Sequence, residues 1–184
     1  MKDLNMIEEY NYDLFLVNTS KEVIDLVSNG ADVNFVNYKG FTPLFVARNV
    51  EVAKALVENG ADVNYQNSDG ETAVFINPNM DVVRYLVSCG AKINHRNKKG
   101  QTVLFKTNKL LNVARLINMG CNPFLKSVDG HYHYENMTMA DRKNYSQFIE
   151  VFKNNVRKKN EDRNHYIRFW RSGRSLYGKD SGLF

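Results

Sequence analysis

Apolar residues return along this chain at a fixed distance. Val50, Ala53, Leu56 and Val57 recur thirty residues later as Met80, Val83, Leu86 and Val87, and again as Leu110, Val113, Leu116 and Ile117. Spacings of three and four place each set on one stripe, so each predicts an amphipathic helix. Gly60, Gly90 and Gly120 directly follow the stripes, and Gly30 stands one period earlier. A glycine in that place suits the left-handed residue that ends a helix. The stretch ADVN then leads into NYKG, and its later counterparts lead into NSDG and NKKG. Asn first and Gly fourth predicts a tight turn. Thr42, Thr72 and Thr102 come next, each placed to cap a short helix of roughly two turns. Pro43 fits the first helical position, where a missing N–H costs nothing.

Each unit therefore reads turn, short helix, longer helix, extended exit. The period also runs backward. YDLF at 12–15 stands thirty residues before TPLF, and SKEVIDLVSNG thirty before VEVAKALVENG. The division that follows is five units, at about 1–34, 35–64, 65–94, 95–124 and 125–154, with 155–184 as a separate extension. In the first unit Glu8, Glu9, Tyr10 and Tyr12 take the place of the turn and suit a polar cap. In the last, Phe148, Ile149, Val151 and Phe152 are expected to close the core. Such self-similarity marks a stacked array, in which a unit buries its apolar face only by leaning on its neighbours.

The pattern GxTPLFxA…VxxAKxLVENGADVNxxN resembles the ankyrin repeat over about residues 5–125, with a looser extension to about 154. The resemblance implies an all-α ankyrin-repeat solenoid of helix-turn-helix units with hairpin-like loops, followed by the basic C-terminal extension. Two departures stand out. The family's usual period is about 33, whereas this chain is shorter between the two helices. The family's TPLH histidine is replaced by Phe45, Phe75 and Phe105. The hydrogen-bond network that this His makes between repeats is therefore expected to give way to an apolar ladder, with neighbours joined by packing.

Composition narrows the picture further. Hydrophobic residues make up 43% of 184, enough for a folded core. No apolar run reaches the length of a membrane helix, and the start MKDLNMIEEYNYD has no secretory pattern. A cytoplasmic, intracellular protein is expected, with no membrane partner. Cys89 and Cys121 give neither a disulfide framework nor a zinc cluster. Residues 153–184 hold nine Lys and Arg against three Asp and Glu, a balance of +6. The rest holds 16 against 17, a balance of −1, so the basic character reads as a property of the tail.

No catalytic constellation is present: no GxSxG, P-loop or GxGxxG. His131 and His133 in HYH lack a third ligand at a known spacing and read as an exposed loop. No enzyme activity, metal, cofactor or small-molecule substrate is expected. The informative positions are the ones that vary between copies. These are Phe35, Tyr38, Lys39 and Phe41; then Tyr65, Asp69 and Glu71; then His95, Arg96, Lys98, Lys99 and Gln101. The framework persists while they change, so they are not required by the fold. In the family the resemblance points to, such hairpin tips and the short-helix face contact a partner protein, which the module binds, blocks or recruits. The three aromatics on one turn read either as a contact anchor or as packing on the neighbouring hairpin. Arg96, Lys98 and Lys99 read either as a basic contact or as a solvated patch. In the tail, Arg168, Phe169, Trp170, Arg171, Arg174 and Tyr177 interleave charge with rings. This suits folding back over the array, a protein contact, or nucleic acid through backbone contacts and base stacking. In style, the Asn-rich shortened repeats resemble ankyrin proteins of viruses and intracellular bacteria, which implies capture of a host factor.

Overall fold

The computed structural model describes residues 4–159. Every regular element among them is helical. The described residues fall into two compact bodies with the boundary between Lys92 and Ile93. The N-terminal body holds the helices Leu4–Asp13, Ser20–Ser28, Val50–Glu58 and Met80–Ser88, with one-turn helices at Pro43–Val46 and Ala73–Ile76. The C-terminal body holds Leu110–Asn118 and Met139–Lys159, with one-turn helices at Val103–Lys106 and His133–Asn136.

In the N-terminal body, Ser20–Ser28 packs on Val50–Glu58, which packs on Met80–Ser88, while the two one-turn helices pack on each other. A middle helix therefore meets neighbours on two sides, and its buried face is wider than the stripe. Val52 and Val82 are as buried as Ala53 and Val83, whereas Val50 is exposed. Burying each such side chain contributes about 1.5–3 kcal/mol. The C-terminal body repeats the arrangement, with Leu110–Asn118 against Met139–Lys159 and Val103–Lys106 against His133–Asn136.

The glycines behave as their place in the pattern predicts. Gly60 has φ of 94°, and the N–H groups of Gly60 and Ala61 return to the carbonyls of Val57 and Leu56. That is the left-handed helix ending, which an L side chain rarely adopts.

In place of a turn, the first helix runs Leu4–Asp13 through Glu8, Glu9, Tyr10 and Tyr12, since that stretch holds no Gly or Pro to stop it. Three expectations are corrected. Thr42, Thr72 and Thr102 take the N-cap backbone conformation, but none makes a side-chain cap bond. Their side chains are buried in the core instead. At the far end Ile149 is buried and Phe148 is half-buried, but Val151 is exposed. Tyr145 and Met137 fill the core there in its place.

The third correction concerns what joins neighbouring units. Besides packing, asparagine amides do. Asn34 donates through Nδ2 to Gly60 O (3.0 Å) and accepts at Oδ1 from Asp62 N (2.8 Å). Asn64 does the same to Gly90 O (3.3 Å) and from Lys92 N (3.0 Å). Within the C-terminal body Asn94 donates to Gly120 O (2.9 Å) and accepts from Asn122 N (2.6 Å). Asn49 and Asn79 also work in both directions. Oδ1 of Asn49 caps its own helix at Val52 N (2.8 Å) while its Nδ2 reaches Asn18 O (2.8 Å). Asn79 accepts from Asp81 N (3.0 Å) and donates to Arg48 O (2.9 Å). An Asp carboxylate could cap but has no donor, whereas the amide accepts at its oxygen and donates from a separate nitrogen. Asparagine amides thus join units where packing alone was expected to.

Candidate protein-binding surface

The turns between units share one internal brace. Asn37 Oδ1 accepts from Lys39 N (2.9 Å) and Phe41 N (3.1 Å). Asn67 serves Asp69 N (3.0 Å) and Glu71 N (2.8 Å), and Asn97 serves Lys99 N and Gln101 N (both 3.0 Å). The backbone closes each turn as well, with Asn37 N donating to Phe41 O (3.0 Å) and its counterparts doing likewise. The side chain of the second turn residue is left out of this bracing. The chain therefore holds its tips rigid at no cost to tip identity.

In the N-terminal body the three aromatics of the first turn part company. Phe35 is half-buried, edge-on to Tyr12 (centroids 5.1 Å apart) and to Phe15 (6.4 Å). Phe41 stacks on the buried Phe45 at 5.1 Å and an interplanar angle of 16°. Only Tyr38 projects, 85% exposed, with Lys39 Nζ 5.5 Å from its ring centre. In the next turn Tyr65 is half-buried against Phe45 (6.1 Å) and Asp69 is exposed. Glu71, expected among the projecting residues, is buried, because the last position of the turn lies on its stem.

In the C-terminal body Lys98 and Lys99 are exposed, while His95 and Gln101 are half-buried. Arg96 is exposed but committed. Its Nε donates to Gly100 O (2.9 Å) and its Nη2 to Lys126 O (2.8 Å), tying its own turn to the next. Val128 N completes the tie on Lys99 O (2.9 Å). Sequence reasoning missed Val128, which is 71% exposed at the tip of that following turn, although it sits one period after the singled-out Lys98.

The HYH loop is also corrected. His131 is exposed, with Nδ1 2.6 Å from Glu135 Oε2, but His133 is buried. His133 lies edge-on to Tyr145 (5.1 Å), Tyr134 (5.6 Å) and Phe105 (6.1 Å), and its Nε2 has no hydrogen-bond partner. It occupies the place held by Pro43, Ala73 and Val103 in earlier copies, so the repeat register turns it inward. Loss of water around the ring pushes its pKa down to about 4. The Glu135 carboxyl is held below its ordinary value, first by Tyr132 N–H and then by His131. Cys121 is fully buried and its thiol is pushed up to about 12, which suits packing rather than reactivity.

Among the described residues no three His, Cys, Asp or Glu are grouped to hold a metal. None of the described helices is long and apolar enough to cross a membrane. Arg168, Phe169, Trp170, Arg171, Arg174 and Tyr177 lie outside the described residues.

No curated protein matches the sequence. The family described as ankyrin repeats (many copies) matches residues 45–76. That segment runs from the first one-turn helix through Val50–Glu58 and the next turn to the second one-turn helix, one full period. Residues 45–76 are similar to ankyrin repeats, and the thirty-residue pattern of that segment recurs along the sequence.

Proposed function

We propose that this chain is a non-enzymatic interaction module that binds, blocks or recruits a partner protein through its turn tips and short-helix face. Ankyrin repeats are generally protein–protein interaction modules, and the family is typically non-enzymatic. The observation that carries the reading is the division of labour in the turns. Asn37, Asn67 and Asn97 hold the backbone, and the exposed side chains of Tyr38, Lys98 and Lys99 beside them stay outside that bracing. A large aromatic left 85% exposed on a braced tip is the kind of rigid anchor that carries interface energy at low ordering cost. The remaining contact positions in this reading are Lys39, Asp69 and the exposed part of Tyr65.

The test is affinity capture from extracts of the native cell with the wild-type chain and a Tyr38→Ala variant. Phe41 is unsuited to this test because it stacks on the core. The expected result is at least one captured protein that Tyr38→Ala depletes. Identical capture by both chains overturns Tyr38 as an anchor.

A further inference from the structure

The two bodies differ in charge far more than the whole chain suggests. Residues 1–92 hold seven Lys and Arg against 13 Asp and Glu, a balance of −6. Residues 93–152 hold nine against four, a balance of +5, before the basic tail begins. The near-neutral repeats of the sequence reading are therefore an acidic body and a basic body that cancel. We propose that the C-terminal body carries a docking site for an acidic segment of a partner protein, formed by Lys98, Lys99 and Lys126 around Val128. This rests on the protein-binding reading and names the partner's chemistry.

Three observations support it. First, the site is pre-organised. The turns bearing Lys98, Lys99 and Lys126 are joined by Val128 N to Lys99 O and by Arg96 Nη2 to Lys126 O. Gly100, with φ of 69°, allows this approach, since a Cβ there would lie 2.9 Å from Val128 N. Turns joined in this way need little backbone ordering when a ligand arrives, so the cost that remains is that of the lysine side chains themselves. Second, the charge is available. All three lysines are exposed, Lys98 and Lys99 form no ion pair with another described residue, and Lys126 Nζ lies 4.7 Å over the Tyr132 ring, a contact that leaves its charge unneutralised. The turns 95–101 and 125–131 contain one acid, Asp129. Third, Val128 is 71% exposed among these cations, a place for an aliphatic side chain between carboxylates.

The alternatives fit less well. Nucleic acid would gain phosphate contacts, but the ring beside the cluster, Tyr132, already stacks on Tyr134 and lies under Lys126 Nζ, and Asp129 repels the phosphate backbone. A second copy would have to present its acidic body, yet several of those acids are already engaged. Glu51 accepts from Ser20 Oγ at 2.6 Å, Asp62 from Asn64 N at 2.8 Å, and Glu58 and Asp81 face Lys54 and Arg84.

The test uses the full chain, tail included. A fluorescent peptide of about ten residues alternating Glu and Leu is titrated by anisotropy, beside its Gln-for-Glu counterpart and a single-stranded oligonucleotide. The variant is Lys98→Glu/Lys99→Glu/Lys126→Glu, with its fold checked by circular dichroism. The wild-type chain is expected to bind the Glu peptide about tenfold or more tightly than the Gln peptide, weakening with salt, and the variant to lose that advantage. Equal binding by variant and wild type assigns the affinity to the tail and overturns the site. An oligonucleotide that binds more tightly than the peptide and is lost in the variant makes the site one for nucleic acid, which also overturns it. Sedimentation showing self-association of the wild type that the variant abolishes overturns it in favour of a second copy. If Tyr38→Ala depletes a captured protein while the triple variant captures and binds as wild type, the protein-binding reading stands and this inference alone falls.

Discussion

In the body ending at Lys92, two of the helix starts are capped by Asn49 and Asn79, whose amides also donate to the carbonyl of the preceding unit. In the body beginning at Ile93, the corresponding place holds Lys109, which makes no side-chain cap bond, and the last helix is capped by Thr138. The aromatic layer changes too. Phe45 is buried between Phe41 and Tyr65 in the first body, whereas Glu135 stands in the Phe position of the last copy and His133 fills the core beside it. One chassis is thus held in two ways. In the first body bifunctional amides and Phe rings repeat from unit to unit. In the last described copy the core is filled instead by a cluster of Tyr134, Tyr145 and His133, under a longer helix. The lesson is that the amide bonds follow the repeated residues, and the aromatic cluster follows the residues in which the last described copy departs from the repeat.

Substitutions separate the two modes, the deepest core first. Phe45→Ala removes a ring that is 1% exposed and is expected to cost about 3–5 kcal/mol, read by urea denaturation. A cost under about 1 kcal/mol would mean that Phe41 and Tyr65 close over the gap. Next comes acid. His133 has a folded pKa of about 4, below its ordinary 6.5, so the unfolded chain takes up a proton first as pH falls. Stability is therefore lost as pH drops from about 6.5 towards 4, by up to about 3 kcal/mol. Glu135 adds its own loss only below the ordinary carboxyl value, outside most of that window. His133→Phe should flatten the slope of stability against pH, and an unchanged slope would show that the ring is already hydrated.

Smaller effects sharpen the contrast at matched positions. Gly40 and Gly100 hold the same place in their turns, with φ of 75° and 69°. Alanine at either is strained by about 1 kcal/mol. At position 100 the new Cβ would also lie 2.7 Å from Arg96 Nη2 and 2.9 Å from Val128 N, whereas at 40 the nearest atom is 3.5 Å away. Gly100→Ala should therefore cost about 2–3 kcal/mol against about 1 for Gly40→Ala, and equal melting shifts would refute the tight tie between the two C-terminal turns. Asn64→Ala severs the bonds to Gly90 O and Lys92 N and should cost about 1–3 kcal/mol. Asn64→Asp keeps the acceptor, so it should fall between alanine and wild type. Tyr38→Ala should change stability by less than about 0.5 kcal/mol, and a larger loss would show that the ring supports the fold.

Much of the molecule was legible in the residues alone. The thirty-residue register, the long helices, the left-handed glycines and the Asn-to-Gly turns follow from local rules, because each depends on a few consecutive residues. What local rules could not reach was the second partner of each group. Asn34 and Asn64 look like turn residues until the next unit's carbonyl stands beside them. Thr42 looks like a cap until the core draws its side chain inward. Phe35, Tyr38 and Phe41 look equivalent along the chain, but Phe15 and Phe45 claim two of them and leave one. His133 reads as loop until Tyr145 arrives from the last helix.

By itself, then, the sequence determined the period, because backbone dihedrals and amphipathic spacing are set by near neighbours. Only the tertiary structure decided which polar and aromatic side chains are used up inside and which are left at the tips. That depends on atoms about thirty residues away, brought within hydrogen-bond reach by the stacking of one unit on the next.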